Sequence, residues 1–204
     1  MDELTKEYVI SYFTKTLRMH GDRAEAVGWT SVGQHRRFEG LLEIAGSING
    51  KKILDYGCGK GDFYQFLKAR NIAVEYTGLD INAGLIELAK QKFPECKFRV
   101  FDIEQDILHE DFDYIFLCGV FNLKVERLLE TVQNTLIKLF HHCRKGLAFN
   151  GLSAHNPKKD FEINYFFPED IIAFALRNLS PYAALRHDRM LYDFTLLVSK
   201  DKEK

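Results

Sequence analysis

The sequence predicts an α/β fold, a mostly parallel sheet with helices on both faces. Three observations predict it. From Lys51 onward, apolar strand-like runs alternate with helical patterns, the order that sets parallel strands side by side with crossover helices. The first such run, residues 53–56, ends in a turn holding Gly57, Gly59 and Gly61. Of the 204 residues, 46% are hydrophobic and 28% charged, with a net charge of −1, ordinary values for one globular domain.

Each element follows from its own residues. Residues 53–56 are a short apolar run closed by the glycine turn. Residues 62–70 read as a helix with Phe63, Phe66 and Leu67 on one face. Residues 74–80 form a second strand, and Asn82 suits a helix N-cap ahead of Leu85, Ile86, Leu88 and Ala89. Residues 97–102 and 114–118 are the third and fourth strands. Val125, Leu128, Leu129, Val132, Leu136, Leu139, Phe140 and Cys143 share one stripe of a long helix. His141, His142, Arg144 and Lys145 complement its C-terminal dipole, and Gly146 is its expected cap. Residues 147–149 are a fifth strand. Pro168, Glu169 and Asp170 open a further helix, and residues 183–186 and 194–199 close the chain as two strands. Before the sheet, Val9, Ile10, Phe13 and Leu17 recur at helical spacing. The expected organisation is one domain, 1–204, with 1–50 a helical lid and 51–204 the α/β core.

The composition excludes a disordered chain, a collagen-like repeat and a basic nucleic-acid tail. A chain of this length buries roughly 70% of its unfolded surface and needs no staples. The cysteines, Cys58, Cys96, Cys118 and Cys143, form no Cys-x-x-Cys pair and read as buried reduced thiols of a cytoplasmic protein. No apolar stretch of membrane-spanning length occurs, and the acidic start Met1-Asp2-Glu3 argues against a signal peptide.

The glycine turn is the first place to look for chemistry, because such sheets bind ligands beyond the C-terminal strand ends at the switch in strand order. A dinucleotide fingerprint requires glycine at position 62, where this chain has Asp62. A carboxylate at a helix N-terminus repels pyrophosphate and favours a cationic ligand. Asp55 and Asp62 suit the ammonium and sulfonium groups of S-adenosylmethionine better than they suit NAD. Asp80, at the next strand end, is placed to accept both ribose hydroxyls. Asp102, after the third strand, is placed to accept from an adenine amino group, the Ile103 amide to donate to the ring, and Ile81 and Ile103 to sandwich it. Singly, a glycine turn or an Asp after a strand is ordinary punctuation; in order at successive strand ends they read as a nucleoside site.

These residues resemble the class I S-adenosylmethionine-dependent methyltransferases. Ile53-Leu54-Asp55-Tyr56-Gly57-Cys58-Gly59-Lys60-Gly61 is similar to their first motif, and Leu79-Asp80-Ile81 to the second. Phe101-Asp102-Ile103 resembles the adenine-contacting segment, and the run from Phe112 through Cys118 to Gly119 the fourth-strand motif beside the methionine part. The resemblance covers roughly Arg37 to Ser199. It implies a Rossmann-like three-layer sandwich with a seven-stranded sheet whose last strand is antiparallel. It also implies that an Arg ahead of the first motif pairs with the ligand carboxylate. Arg37 is the candidate, with Trp29 beside it.

Within the resembled family the end of the fourth strand separates acceptor classes. Cys118-Gly119-Val120-Phe121-Asn122 lacks the Pro-Pro-aromatic run of nucleic-acid amino methylation and the Pro-Cys context of cytosine methylation. No set of hard-cation ligands gathers there or at Phe149-Asn150-Gly151, so no metal is expected. Acceptor-side candidates are Tyr8, Tyr12 and His20 before the sheet, Asn122 after the fourth strand, and Asn150, Ser153, His155 and Tyr165 after the fifth. His and Tyr can take or position a proton, although each is also an ordinary packing or surface residue. His187 reads as a turn residue. The expected function is methyl transfer to the oxygen or nitrogen of a small molecule, with no membrane and no nucleic-acid partner. The alternatives are a protein or RNA acceptor, or a non-catalytic S-adenosylmethionine-binding protein. Oligomeric state is left open.

Overall fold

Apolar runs flanked by crossover helices have one economical solution, a sheet covered on both sides. A computed structural model describes residues 1–201. Among these, seven strands form one sheet: β1 (Lys51–Tyr56), β2 (Val74–Asp80), β3 (Lys97–Val100), β4 (Phe112–Cys118), β5 (Cys143–Leu152), β6 (Ala183–Arg186) and β7 (Asp193–Ser199). The order is β3-β2-β1-β4-β5-β7-β6. The strands from β3 to β5 are parallel, and β7 is antiparallel to β5 and β6. The expected seven-stranded sheet with its antiparallel last strand is what the chain forms.

Alternate residues of each strand feed two cores. Ile53, Tyr76, Phe98 and Phe116 pack under α2 (Ser31–Ala45), α3 (Asp62–Ala69) and α4 (Ala83–Lys92). Leu54, Leu79, Ile115, Leu117 and Phe149 pack under α5 (Leu128–His141) and α6 (Pro168–Asn178). Leu136 of α5 is fully buried, so Leu136→Ala costs about 2–5 kcal/mol.

The N-terminal segment divides by contact. α2 lies on the sheet face against β4, β5 and β7 and buries Phe38 and Leu41. α1 (Glu3–His20) buries no residue completely and crosses the C-terminal edge of the sheet, followed by a 3₁₀ turn, Ala24–Val27. The Asn82 side chain joins α1 to the sheet edge. Its oxygen caps α4 through Leu85 N at 3.0 Å, and its amide nitrogen donates to Ile10 O at 3.0 Å and Thr14 Oγ1 at 2.9 Å.

Among the boundaries that differ from the sequence reading, three bear on the site. The third strand ends at Val100, leaving Asp102 in the loop beyond. Val125 precedes α5, which opens after Arg127 in a left-handed conformation, φ 52°. Cys143, Arg144, Lys145 and Gly146 belong to β5, not to a helix end. His142 is the actual C-cap, donating back to Leu139 and Phe140. The early start of β5 has a physical reason: Cys143 and Gly146 pair with Phe112 and Tyr114 of β4, and ladder bonds outweigh a local cap signal.

Candidate functional site

The chain reverses its winding direction at β1, which lies between β2 and β4, and the resulting crevice opens above the glycine turn. The turn is held from below: Gly57 N and Cys58 N both donate to Leu79 O, at 2.7 and 3.0 Å. Gly57 has φ 73°, and a Cβ there would come within 2.5 Å of Val120. Only glycine fits both constraints. Gly59 N donates to Asp80 Oδ2 and Asn82 N to Asp80 Oδ1, each at 2.9 Å. Asp80 therefore ties the glycine turn to the start of α4, and burial raises its pKa against the pull of these amides.

Above this frame lies a cavity partly open to solvent, with about 1060 Å³ of empty space when the open solvent at its mouth is included. Its lining includes Gly57, Gly59, Asp80, Ile81, Asp102, Ile103, Cys118 and Trp29. A smaller recess continues from it, lined by Asp55, Cys58, Asp62 and Gln34, and shares Trp29, Gly57, Gly59 and Cys118 with the first. Gly61 serves one step back, as the left-handed N-cap of α3 with φ 80°.

Asp55 is 3% exposed and accepts a 2.5 Å hydrogen bond from Tyr76 Oη. Burial pushes its pKa up to about 7, with the charges of Asp80 and Asp62 adding to the rise. Asp62 is not the free carboxylate that its position suggested. It accepts from Gln34 Nε2 at 2.8 Å and from Lys60 Nζ at 2.6 Å, with Lys92 Nζ at 3.5 Å. Asp22 completes the group, 3.2 Å from Lys60 and 2.7 Å from Lys92. Two lysines balance two aspartates, so little net negative charge is left to attract a cation.

Arg37 lines neither cavity. It reaches the sheet face on α2, where Nη2 bonds Asp193 Oδ2 at 2.5 Å and the guanidinium stacks 3.9 Å from the Trp29 ring. The carboxylate already paired with Arg37 is thus one of the chain's own. Trp29 stands between Arg37 and the cavity, packed where a Cβ on Gly119 would collide with it.

None of the acceptor-side candidates lines the main cavity. Asn150 donates to Asp193 at 2.5 Å and to Phe194 O at 3.0 Å. His155 is exposed and 3.0 Å from Glu169, and Tyr165 Oη accepts from Asp160 N at 3.0 Å. The Tyr12 pKa is raised by burial and by Glu162 and Asp160. Ser153 accepts from His155 N, Tyr8 lines a separate shallow groove, and His20 lines no cavity described here. Asn122 is buried beside Gly119 with both amide atoms unpartnered.

The lining also holds groups that the sequence reading missed. Lys6 of α1 reaches over to Asp102 at 3.0 Å. Thr135 of α5 presents a buried hydroxyl without a partner. Lys138, one turn on, donates to Ile103 O and to Glu104, both at 3.0 Å, and so clamps α5 to the Asp102 loop. Nothing in the local pattern marks Lys6 or Thr135. Among the described residues no cluster of metal-binding side chains occurs, and no helix is long and apolar enough to cross a membrane.

A methyltransferase-domain family model matches residues 54–152, the segment from β1 through β5. The chain is 28% identical over 165 residues to Rv1506c of Mycobacterium tuberculosis, a protein provisionally named as a methyltransferase, covering 78% of this chain and 99% of that one. It is 28% identical over 100 residues to demethylmenaquinone methyltransferase of Thermotoga maritima, covering 48% of this chain and 42% of that one. In fold it is similar to magnesium protoporphyrin IX methyltransferase of Synechocystis PCC 6803, solved with S-adenosylhomocysteine bound. The TM-score is 0.69 at 16% identity, over 97% of this chain and 99% of that one. A TehB-like S-adenosylmethionine-dependent methyltransferase of Corynebacterium glutamicum matches with a TM-score of 0.58 at 20% identity, over 97% and 98%. The matched segment carries the glycine turn, Asp80 and Asp102, and the family match, the relatives and the fold together support a class I S-adenosylmethionine-dependent methyltransferase.

Proposed function

We propose that this chain binds S-adenosylmethionine above Gly57 and Gly59 and transfers its methyl group to the oxygen or nitrogen of a small molecule. The observation that carries the reading is the cavity itself: the glycine turn is its floor, and Asp80, Ile81, Asp102 and Ile103 line one side. The lining suits a nucleoside. Asp80, whose two oxygens each accept one backbone amide, keeps lone pairs for ribose hydroxyls, Asp102 and the orphaned Thr135 hydroxyl offer partners to a base, and Ile81 and Ile103 offer apolar faces. When bound, S-adenosylmethionine supplies an electrophilic methyl group on a positively charged sulfur. Asp55 faces the recess that continues from the cavity, where its carboxylate would meet an ammonium group. α1 and Trp29 cover part of the cavity and would hold the two reactants at short range, the main contribution the protein can make to such a transfer. Calorimetry with S-adenosylmethionine, S-adenosylhomocysteine and NADH, followed by turnover with an acceptor panel, tests the reading.

One observation favours a non-catalytic binding protein as a second reading. Among the described lining residues there is no histidine, and the carboxylates all follow β2 or β3, away from the β4 side. Saturable S-adenosylmethionine binding without turnover of any acceptor would select it.

A further inference from the structure

We propose that the methyl acceptor is an uncharged, largely apolar molecule, seated on the β4 side of the cavity between α1 and the loop that follows β4. The proposal rests on the reading that the β2–β3 side holds the nucleoside.

The sheet order sets the loops after β3, β2, β1 and β4 side by side, and charge is divided along that row. The charged side chains of the lining are Lys6, Asp80, Asp102 and Glu104. Asp80, Asp102 and Glu104 follow β2 and β3, and Lys6 is paired with Asp102. On the β4 side the wall is Val120, Phe121, Leu123 and Val125, roofed by Val9 and Phe13 of α1. The ionisable side chain on this side, the Cys118 thiol, is kept neutral, since burial pushes its pKa far up.

The same loop is closed from outside. Lys124 N donates to Glu162 O at 2.8 Å, Asn164 N donates to Asn122 O at 2.7 Å, and Leu123 pairs with Ile163 between them. This short ladder turns Lys124, Asp160 and Glu162 to solvent while Leu123 stays buried. A charged acceptor entering here would lose its water without gaining a counter-charge, whereas a neutral apolar one gains from burial. In the transfer, the acceptor heteroatom bonds to the methyl carbon as the carbon–sulfur bond breaks, and the sulfur keeps that electron pair. The acceptor's own proton leaves to water, because no side chain on the β4 side is there to take it.

The test uses the full chain saturated with S-adenosylhomocysteine, with saturation established first by calorimetry. Three probes share a phenol and differ in charge: 4-ethylphenol, tyramine and 4-hydroxyphenylacetate. The expected result is that 4-ethylphenol binds at least ~10-fold tighter than either charged probe. Val125→Asp, at a half-buried rim position, should narrow the gap to tyramine at least ~10-fold while S-adenosylhomocysteine affinity stays within ~2-fold. Val9→Asp provides the same test from α1 should Val125→Asp fail to fold. A charged probe that binds as tightly as 4-ethylphenol overturns the proposal, as does failure of all three to bind the loaded protein or unchanged selectivity in a folded variant. Failure of S-adenosylhomocysteine to bind in the first step instead removes the nucleoside reading beneath it.

Discussion

Beyond β2 and β3, the carboxylates of the cavity wall are already bonded to neighbouring amides and to Lys6, while Thr77 Oγ1 on β2 and Thr135 Oγ1 nearby are buried without partners. Beyond β4, the wall is built of apolar side chains, and polar atoms without partners lie behind them. On the first side Asp80 accepts from Gly59 and Asn82, and Asp102 pairs with Lys6. On the second, both amide atoms of Asn122, Asn164 Nδ2, Asn150 Oδ1 and Arg37 Nε are buried and unsatisfied. Satisfied networks arrive preorganised, which lowers the cost of binding. Buried orphans cost stability, and a chain keeps them where something other than stability is at stake. On the proposed reading, the nucleoside half is a bonded frame and the acceptor half is where specificity would lie.

The largest way to break the first half is Gly57→Val. It places a branched side chain at φ 73° against Val120. The expected cost is about 2–5 kcal/mol of stability and at least a ~100-fold loss of S-adenosylhomocysteine affinity, read by thermal unfolding and calorimetry. Asp80→Asn keeps the shape and removes the charge; affinity should fall roughly 10- to 150-fold, about 1.5–3 kcal/mol. Arg37→Lys sharpens the comparison because it falls in the other half. Losing the stacked, ion-paired guanidinium should cost roughly 1–3 kcal/mol of stability. S-adenosylmethionine and adenosine affinities should then change equally or not at all; a selective loss for S-adenosylmethionine would return Arg37 to the ligand carboxylate.

Asp55 links the frame to pH. Its folded pKa is raised to about 7 from 3.8, so between those values the folded state holds a proton that the unfolded state has lost. Its contribution to stability therefore falls as pH rises through this window. Urea unfolding at pH 5 and pH 7.5 should show the parent losing stability relative to Asp55→Asn as pH rises; a parallel response in both would contradict it. The smallest effect belongs to the exposed pair His155–Glu169: His155→Ala should leave stability within about 0.5 kcal/mol of the parent and turnover unaltered.

The two halves also differed in what the sequence revealed. The glycine turn, Asp80 and Asp102 were legible as neighbours at one edge because they stand at or just beyond the ends of β1, β2 and β3, and all three line the same cavity. The Asn82 cap of α4 was legible for the same local reason. The pairing of Arg37 with Asp193 was not legible, because Asp193 lies 156 residues away and nothing near Arg37 announces it. Asp62 was read as a free carboxylate because Lys60, Lys92, Gln34 and Asp22 converge on it only in three dimensions. Arg144 and Lys145 looked like a helix end until strand pairing with β4 took them into β5. Local chemistry predicted the frame, and tertiary pairing decided the charges around it.

Trp29 is the chain's single tryptophan and lines both cavities, so its fluorescence reports on the site directly. Titration with S-adenosylhomocysteine should give a saturable change with one ligand bound per chain, absent with NAD⁺ and shifted to higher concentration in Asp80→Asn. No change with S-adenosylhomocysteine, or equal binding of NAD⁺, would contradict the assignment of this cavity to a methyl donor.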